Sequence, residues 1–118
     1  MDIEKEIAKL RAQNFQWSKE FGICMTFQNK GIEFERLGMK EEAAFQYEKA
    51  VENGRKSKFL RINNYYFSIE RLTILYRKLK RYDKEIQIIR FALTQSISES
   101  DKQKLLVRLD KASKLQKI

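Results

Sequence analysis

The sequence has 118 residues, the length of a single domain, and its lack of proline and its four glycines favour helices. It has no histidine, so the commonest general base and zinc ligand are missing, and its single cysteine, Cys24, cannot form an internal disulfide. We therefore predict a cytoplasmic protein with no enzyme activity, no metal and no cofactor. Its apolar runs are short and its first residues are acidic, so we expect neither a membrane segment nor a signal peptide.

The net charge of +9 is concentrated in the middle of the chain. Residues 53–90 carry eleven Lys or Arg side chains against three Asp or Glu side chains. A local excess of this kind is typical of a surface that faces an acidic partner, although it also occurs on faces that only contact solvent.

Residues 2–22 are predicted to form an N-terminal helix. Ile3, Ile7 and Leu10 recur at steps of four and three, and Trp17 continues the same face. The pattern runs on past residue 22 to residue 37, so one bent helix and two separate helices both remain open. We favour a break or kink within residues 14–22, next to Gly22, because glycine weakens a helix interior.

Residues 23–54 are predicted to form a first helical hairpin, with helices at 23–37 and 40–53. Gly38 tolerates the left-handed backbone that ends a helix, and the short connection after it requires antiparallel packing. The second helix carries a stripe of mostly small residues on one face, which indicates close approach of a neighbouring helix. This stripe consists of Ala43, Tyr47, Ala50, Val51 and Gly54, the last of which could also cap the helix.

The rest of the chain is predicted to contain a basic connector at 55–61, a second hairpin at 62–95 and a C-terminal helix at 99–117. The second hairpin divides into helices 62–79 and 82–95. The C-terminal helix carries several lysines on its outer sides, which is typical of a helix that caps a stack.

The two hairpins are related by an internal repeat. Residues 24–53 align without gaps on residues 66–95 at an offset of 42 residues, so that Gly38 falls on Lys80 and the apolar positions coincide. Two helix pairs with matched inward positions indicate stacked hairpins.

The segment Gly38-Met-Lys-Glu-Glu-Ala-Ala-Phe-Gln-Tyr-Glu-Lys-Ala-Val51 resembles the turn and second helix of the tetratricopeptide repeat family. Ala43, Tyr47 and Ala50 match the family's small, aromatic and small positions. The resemblance implies an all-α fold of stacked antiparallel hairpins, here two degenerate repeats with flanking N- and C-terminal helices. The chain departs from the family because no proline closes a repeat, Glu85 replaces a small residue, and the period exceeds the usual length of about 34 residues.

The resemblance also implies a non-catalytic adaptor that binds a partner protein or peptide in a groove lined by the first helix of each pair. Cations flanking an apolar centre would favour a partner with acidic groups. Alternatively, these residues only cover the bundle surface, or the N-terminal helix fills the groove. The groove positions are Gln28, Ile32, Glu35, Arg36, Phe67, Glu70, Ile74, Arg77 and Lys78.

A second hypothesis is a basic helical protein that binds nucleic acid or acts within a nucleoprotein complex, with phosphates held by a basic patch. A solvated face that keeps the protein soluble is the alternative interpretation of this patch. A third hypothesis is a homodimer formed through the apolar face of the N-terminal helix. The basic patch consists of Arg55, Lys56, Lys58, Arg61, Lys80 and Arg81.

Overall fold

The computed structural model describes residues 2–118, and this range is all-helical, with five α-helices packed in sequence and no strand. A short 3-10 turn at Ile62–Asn64 precedes the third helix. The helices are α1 (Ile3–Arg36), α2 (Lys40–Lys56), α3 (Tyr66–Lys78), α4 (Tyr82–Leu93) and α5 (Glu99–Gln116).

Helix α1 is continuous over 34 residues, so the break expected within residues 14–22 is absent. Its N-terminus is capped by Asp2, whose carboxylate accepts a hydrogen bond from the backbone N–H of Lys5 at 3.3 Å. Gly22 lies within the helix and has no neighbour within 4 Å of the place where a Cβ would stand. A single interior glycine costs about 1 kcal/mol relative to alanine, which a long, well-capped helix can absorb.

Helices α1 and α2 pack antiparallel after a tight turn. Gly38 has φ +73°, the left-handed conformation expected at that position. The antiparallel direction is shown by two contacts: Cys24 lies against the Ala50 carbonyl, and Gly31, later in α1, lies against the ring of Tyr47, earlier in α2. Cys24 is 1% exposed, and burial raises the pKa of its thiol.

The turn between α3 and α4 has a residue with the same left-handed backbone conformation at the equivalent position. Lys80 has φ +58°, although this conformation costs a residue with a Cβ roughly 1–2 kcal/mol. The conformation therefore follows the hairpin geometry rather than the local preference of lysine, because α3 and α4 must reverse direction within three residues.

Helix α2 extends one turn beyond its expected end, so the connector is shorter than predicted. Gly54 does not cap the helix but lies buried inside it, with the Tyr65 ring 2.3 Å from the position that a Cβ would take. Arg55 and Lys56, expected in the connector, form the last turn of α2. The absence of a side chain at Gly54 allows Tyr65 to pack directly on the helix backbone.

The core lies between the two hairpins and α5. Two hydrogen bonds join α1 to α3 in the order of the chain, so these helices run parallel to one another. Helix α5 follows the same direction on the same side of the molecule, because Asp101 shares a cleft with Tyr66 while Arg108 is bonded by Arg77. Helices α2 and α4 run along the other side. The largest fully buried side chains are Tyr47, Ile69, Leu72, Leu75, Ile89 and Leu105.

Candidate partner-binding site

The outward face of α3 carries the apolar part of the predicted groove. Phe67 is 43% exposed and lies edge-on to the buried ring of Tyr47, with 6.3 Å between the ring centroids. Ile74 is half-buried two helical turns later on the same face. Ile32 of α1 packs against the edge of the core. These three side chains form an apolar strip between α1 and α3.

An ion pair joins α1 to α3 beside this strip. Arg71 donates two hydrogen bonds to the Glu35 carboxylate, from Nε to Oε1 at 2.9 Å and from Nη2 to Oε2 at 2.6 Å. The buried Tyr47 hydroxyl donates to Glu35 Oε1 at 2.7 Å. The two-pronged guanidinium geometry is the strong form of a carboxylate contact. Glu35 therefore holds the two helices together.

The contacts of Glu35 also set its acidity. The Arg71 hydrogen bonds, opposed by burial, hold the pKa of Glu35 below its ordinary value, and they raise the pKa of Arg71. Burial and the hydrogen bond to Glu35 raise the pKa of Tyr47. Glu35 thus stays ionised over the neutral range and presents a paired, not a free, carboxylate.

We predict that Glu35 makes the protein less stable in acid. The pKa of Glu35 is lower in the folded state than in the unfolded chain, where it is about 4.3. The stabilisation that ionised Glu35 contributes is therefore complete when the pH is above the unfolded-state pKa, and it is lost as the pH falls through the folded-state pKa. Glu35→Gln should therefore lower the free energy of unfolding at pH 7, and its difference from the wild type should shrink towards pH 3. Urea unfolding at a series of pH values measures this difference, and a constant difference would contradict the assignment.

Two other predicted groove residues of α1 lie apart from this ion pair. Gln28 accepts a hydrogen bond from the Ser68 hydroxyl at 3.1 Å and so forms a second link between α1 and α3. Arg36 faces solvent and lies 3.6 Å from Glu33 on its own helix. The groove positions on α1 thus divide into inter-helix contacts and a surface pair.

Arg77, a predicted groove residue, is bonded within the fold, although its side chain also lines the cleft between α3 and α5. Its Nη2 lies 2.7 Å from Glu85 Oε2 and also donates to the Arg108 carbonyl at 2.9 Å. Glu85 is fully buried, so the Arg77 guanidinium is the charge that compensates its carboxylate. Arg77 therefore joins α3, α4 and α5 internally.

Lys78 is exposed at the end of α3 and is close enough to Glu35 to lower that residue's pKa electrostatically. Glu70 lies on the other side of α3, in a cleft of ≈ 520 Å³ between α3 and α5 that Lys104, Val107 and Arg108 also line. The sequence pattern of α5 had indicated only a helix that caps the stack, so these three residues were not among the predicted groove positions. The spacing of Lys104, Val107 and Arg108 in the sequence indicates that they lie on one side of α5.

The basic patch does not come together as one surface. Arg55 lies over the Phe91 ring, 3.9 Å from its centroid, and Lys56 pairs with Glu52 at 2.9 Å. Arg81 pairs with Glu41. Within the described chain, ion pairs are absent at four of the six positions, and the 13 residues of α3 separate the connector from the α3–α4 turn. These four positions are Arg55, Lys58, Arg61 and Lys80.

No family model, curated protein or solved structure matches this chain. Over residues 2–118, no helix combines the length and the apolar character needed to cross a membrane. The same residues contain no group of three or more His, Cys, Asp or Glu side chains placed to hold a metal ion.

Proposed function

We propose that this protein is a non-catalytic interaction module that binds an extended, acidic segment of a partner protein along the outward face of α3. The observation that supports this proposal is the exposed Phe67 and the half-buried Ile74 on α3, with Lys78 at the end of the same helix and with Lys104 and Arg108 lining the neighbouring α3–α5 cleft. Among the described residues, Lys78, Lys104 and Arg108 have no carboxylate within ion-pair distance. Glu70 is the carboxylate in this cleft.

The chemistry of this face suits a segment in which apolar and acidic residues alternate. Apolar side chains of the ligand would cover Phe67 and Ile74, which are too exposed to serve the core alone. Carboxylates would meet the unpaired lysines, a form of complementarity that mainly sets partner choice and association rate. The matching left-handed turns at Gly38 and Lys80 support the further proposal that the hairpins form a degenerate tetratricopeptide-like stack.

Direct binding of nucleic acid is the less favoured proposal. Arg55 and Lys56 line a cleft of ≈ 470 Å³ together with Lys84, Glu48 and Glu52, so cations and carboxylates are mixed there. Phosphate binding is favoured by cations gathered on one surface, and the basic patch is instead divided between the two ends of α3.

A selection from a random 12-residue peptide library tests the proposal, with fluorescence anisotropy of the enriched peptides as the quantitative step. We expect enriched peptides to contain more Asp and Glu than Lys and Arg, and to bind at least tenfold more weakly to the Lys78→Glu/Lys104→Glu variant. The matched control, Lys56→Glu/Lys58→Glu, makes the same charge change on the other side and should bind like the wild type.

The apolar strip is tested separately with Phe67→Ala, which should also weaken the selected peptides. Equal binding by the wild type and Lys78→Glu/Lys104→Glu would exclude this face. Tight, salt-sensitive binding of labelled RNA or DNA that is lost in the Lys56→Glu/Lys58→Glu control would favour the nucleic-acid hypothesis instead.

A further inference from the structure

The first half of α1 has no partner in the fold. Residues 3–19, here called the arm, extend beyond α2, whose following residue Ser57 contacts Glu20 at 3.3 Å. Ile3 is 65% exposed and Leu10 is 56% exposed, while Ile7 and Trp17 are also exposed. The molecule is 63 Å long but only 31 Å and 20 Å in its other dimensions.

The exposed apolar residues follow the spacing of a helix that packs against another helix. Ile3, Ile7, Leu10, Asn14 and Trp17 alternate at steps of four and three, the seven-residue repeat of paired helices. Two heptads after Leu10 the same repeat reaches Cys24, which is buried against α2. The arm thus continues the packing face of α1 into solvent, past the end of α2.

The position of α2 decides the direction from which a second helix can approach. A second α1 packed parallel on this face would occupy the same space as α2, because α2 covers the face of α1 from about Glu20 onward. An antiparallel helix meets no such obstacle, because its own hairpins lie on the far side of Ile3, away from α2 of the first copy. A second copy of α1 therefore fits in the antiparallel direction, which also gives the two-fold symmetry of a closed dimer.

The charges beside the packing face favour one alignment of two antiparallel arms. When Ile7 lies opposite Leu10 of the second copy, Glu4 lies beside Arg11 of the second copy, and symmetry repeats this pair. A shift along the helix axes that increases the overlap of the two arms by one heptad would place Arg11 next to Arg11 of the second copy. The first alignment joins opposite charges and the second joins like charges, so the first is favoured.

We propose that two copies of this protein associate through antiparallel pairing of residues 3–17 of α1. This inference is independent of the proposed peptide-binding face, since the two sites share no residue. The contact is small compared with a standard interface, so we expect a dimer that forms and dissociates readily.

Sedimentation equilibrium is the first test. The apparent mass of the 14.2 kDa chain should approach that of two copies as the concentration rises between about 10 µM and 1 mM, a range that suits a small interface. Leu10→Glu should remain monomeric throughout. Phe15→Glu is the matched control, because Phe15 is 71% exposed on the same arm but lies off the packing face.

A wild-type protein that stays monomeric at 1 mM, or that forms more than two copies, would overturn the proposal. Equal loss of association in Leu10→Glu and Phe15→Glu would overturn the assigned face. Circular dichroism should show unchanged melting of the hairpins in both variants, because neither side chain contacts α2 or α3.

Oxidative cross-linking tests the antiparallel direction. Ile3→Cys mixed with Asn14→Cys should give a disulfide-linked dimer, because the alignment places these two positions opposite each other. Either variant alone should give little, since its two cysteines would be about eleven residues, or roughly 16 Å, apart along the pair. Efficient linkage of Ile3→Cys alone would show parallel arms and contradict the proposal. The wild type, with only the buried Cys24, is the background control.

Discussion

Arg77→Met is expected to lower the free energy of unfolding by about 3–5 kcal/mol, the largest effect of a single substitution that we predict. The reason is that Glu85 is fully buried and its carboxylate accepts two hydrogen bonds from the Arg77 guanidinium, which would be lost. Arg77 also bonds the Arg108 carbonyl, so its loss weakens the attachment of α5. Urea unfolding at pH 7, followed by circular dichroism, measures the change.

Two comparison variants make the interpretation of Arg77→Met specific. Arg77→Met/Glu85→Met removes both charges while keeping similar volume, so most of the lost stability should return. Arg36→Met removes an arginine from a surface pair with Glu33 and should change stability by no more than about 0.5 kcal/mol. If the double variant were as unstable as Arg77→Met, the buried carboxylate would not be the cause.

Gly31→Ala and Gly22→Ala are expected to change stability in opposite directions, although both add one methyl group to the same helix. At Gly31 the methyl carbon would stand 2.6 Å from the Tyr47 ring, which is fully buried and hydrogen-bonded to Glu35. Overpacking of this kind costs about 1–3 kcal/mol and should exceed the gain in helix propensity. At Gly22 nothing lies within 4 Å, so the variant should gain about 0.5–1 kcal/mol.

Thermal melting of the two glycine variants gives the comparison directly. We expect Gly31→Ala to melt below the wild type and Gly22→Ala to melt above it. A stabilised Gly31→Ala would mean that α1 and α2 can separate without loss, and that the glycine is not required for their close packing.

The sequence predicted the helical class and most helix bounds because its apolar spacing and its turn residues agree. Gly38 marks the first turn, and the offset of 42 residues places Lys80 in the second turn, where the backbone has the same conformation. The sequence could not decide whether α1 is continuous, since the cost of Gly22 is small. Gly54 was correctly placed on the packing face of α2, but its alternative role as a helix cap was wrong, because a glycine near a helix end can serve either purpose.

The candidate site was less accessible to sequence reasoning, because its properties depend on which side chains meet across helices. Arg71 was not recognised as the partner of Glu35, which lies 36 residues away in the chain. Arg77 was interpreted as a free cation because nothing local shows that Glu85 is buried beside it. Phe67 and Lys78 were named from the resemblance to tetratricopeptide repeats, and both are exposed in the structure, while their role in binding stays a prediction.

The packing of each helix mainly against the next helix in sequence has a consequence for how the chain folds. Contacts between neighbouring segments close short loops, so the structure can form by successive addition of helices without a search for distant pairings. The chain has no proline, so no peptide-bond isomerisation can delay this process. A protein of this kind is expected to reach its folded state quickly.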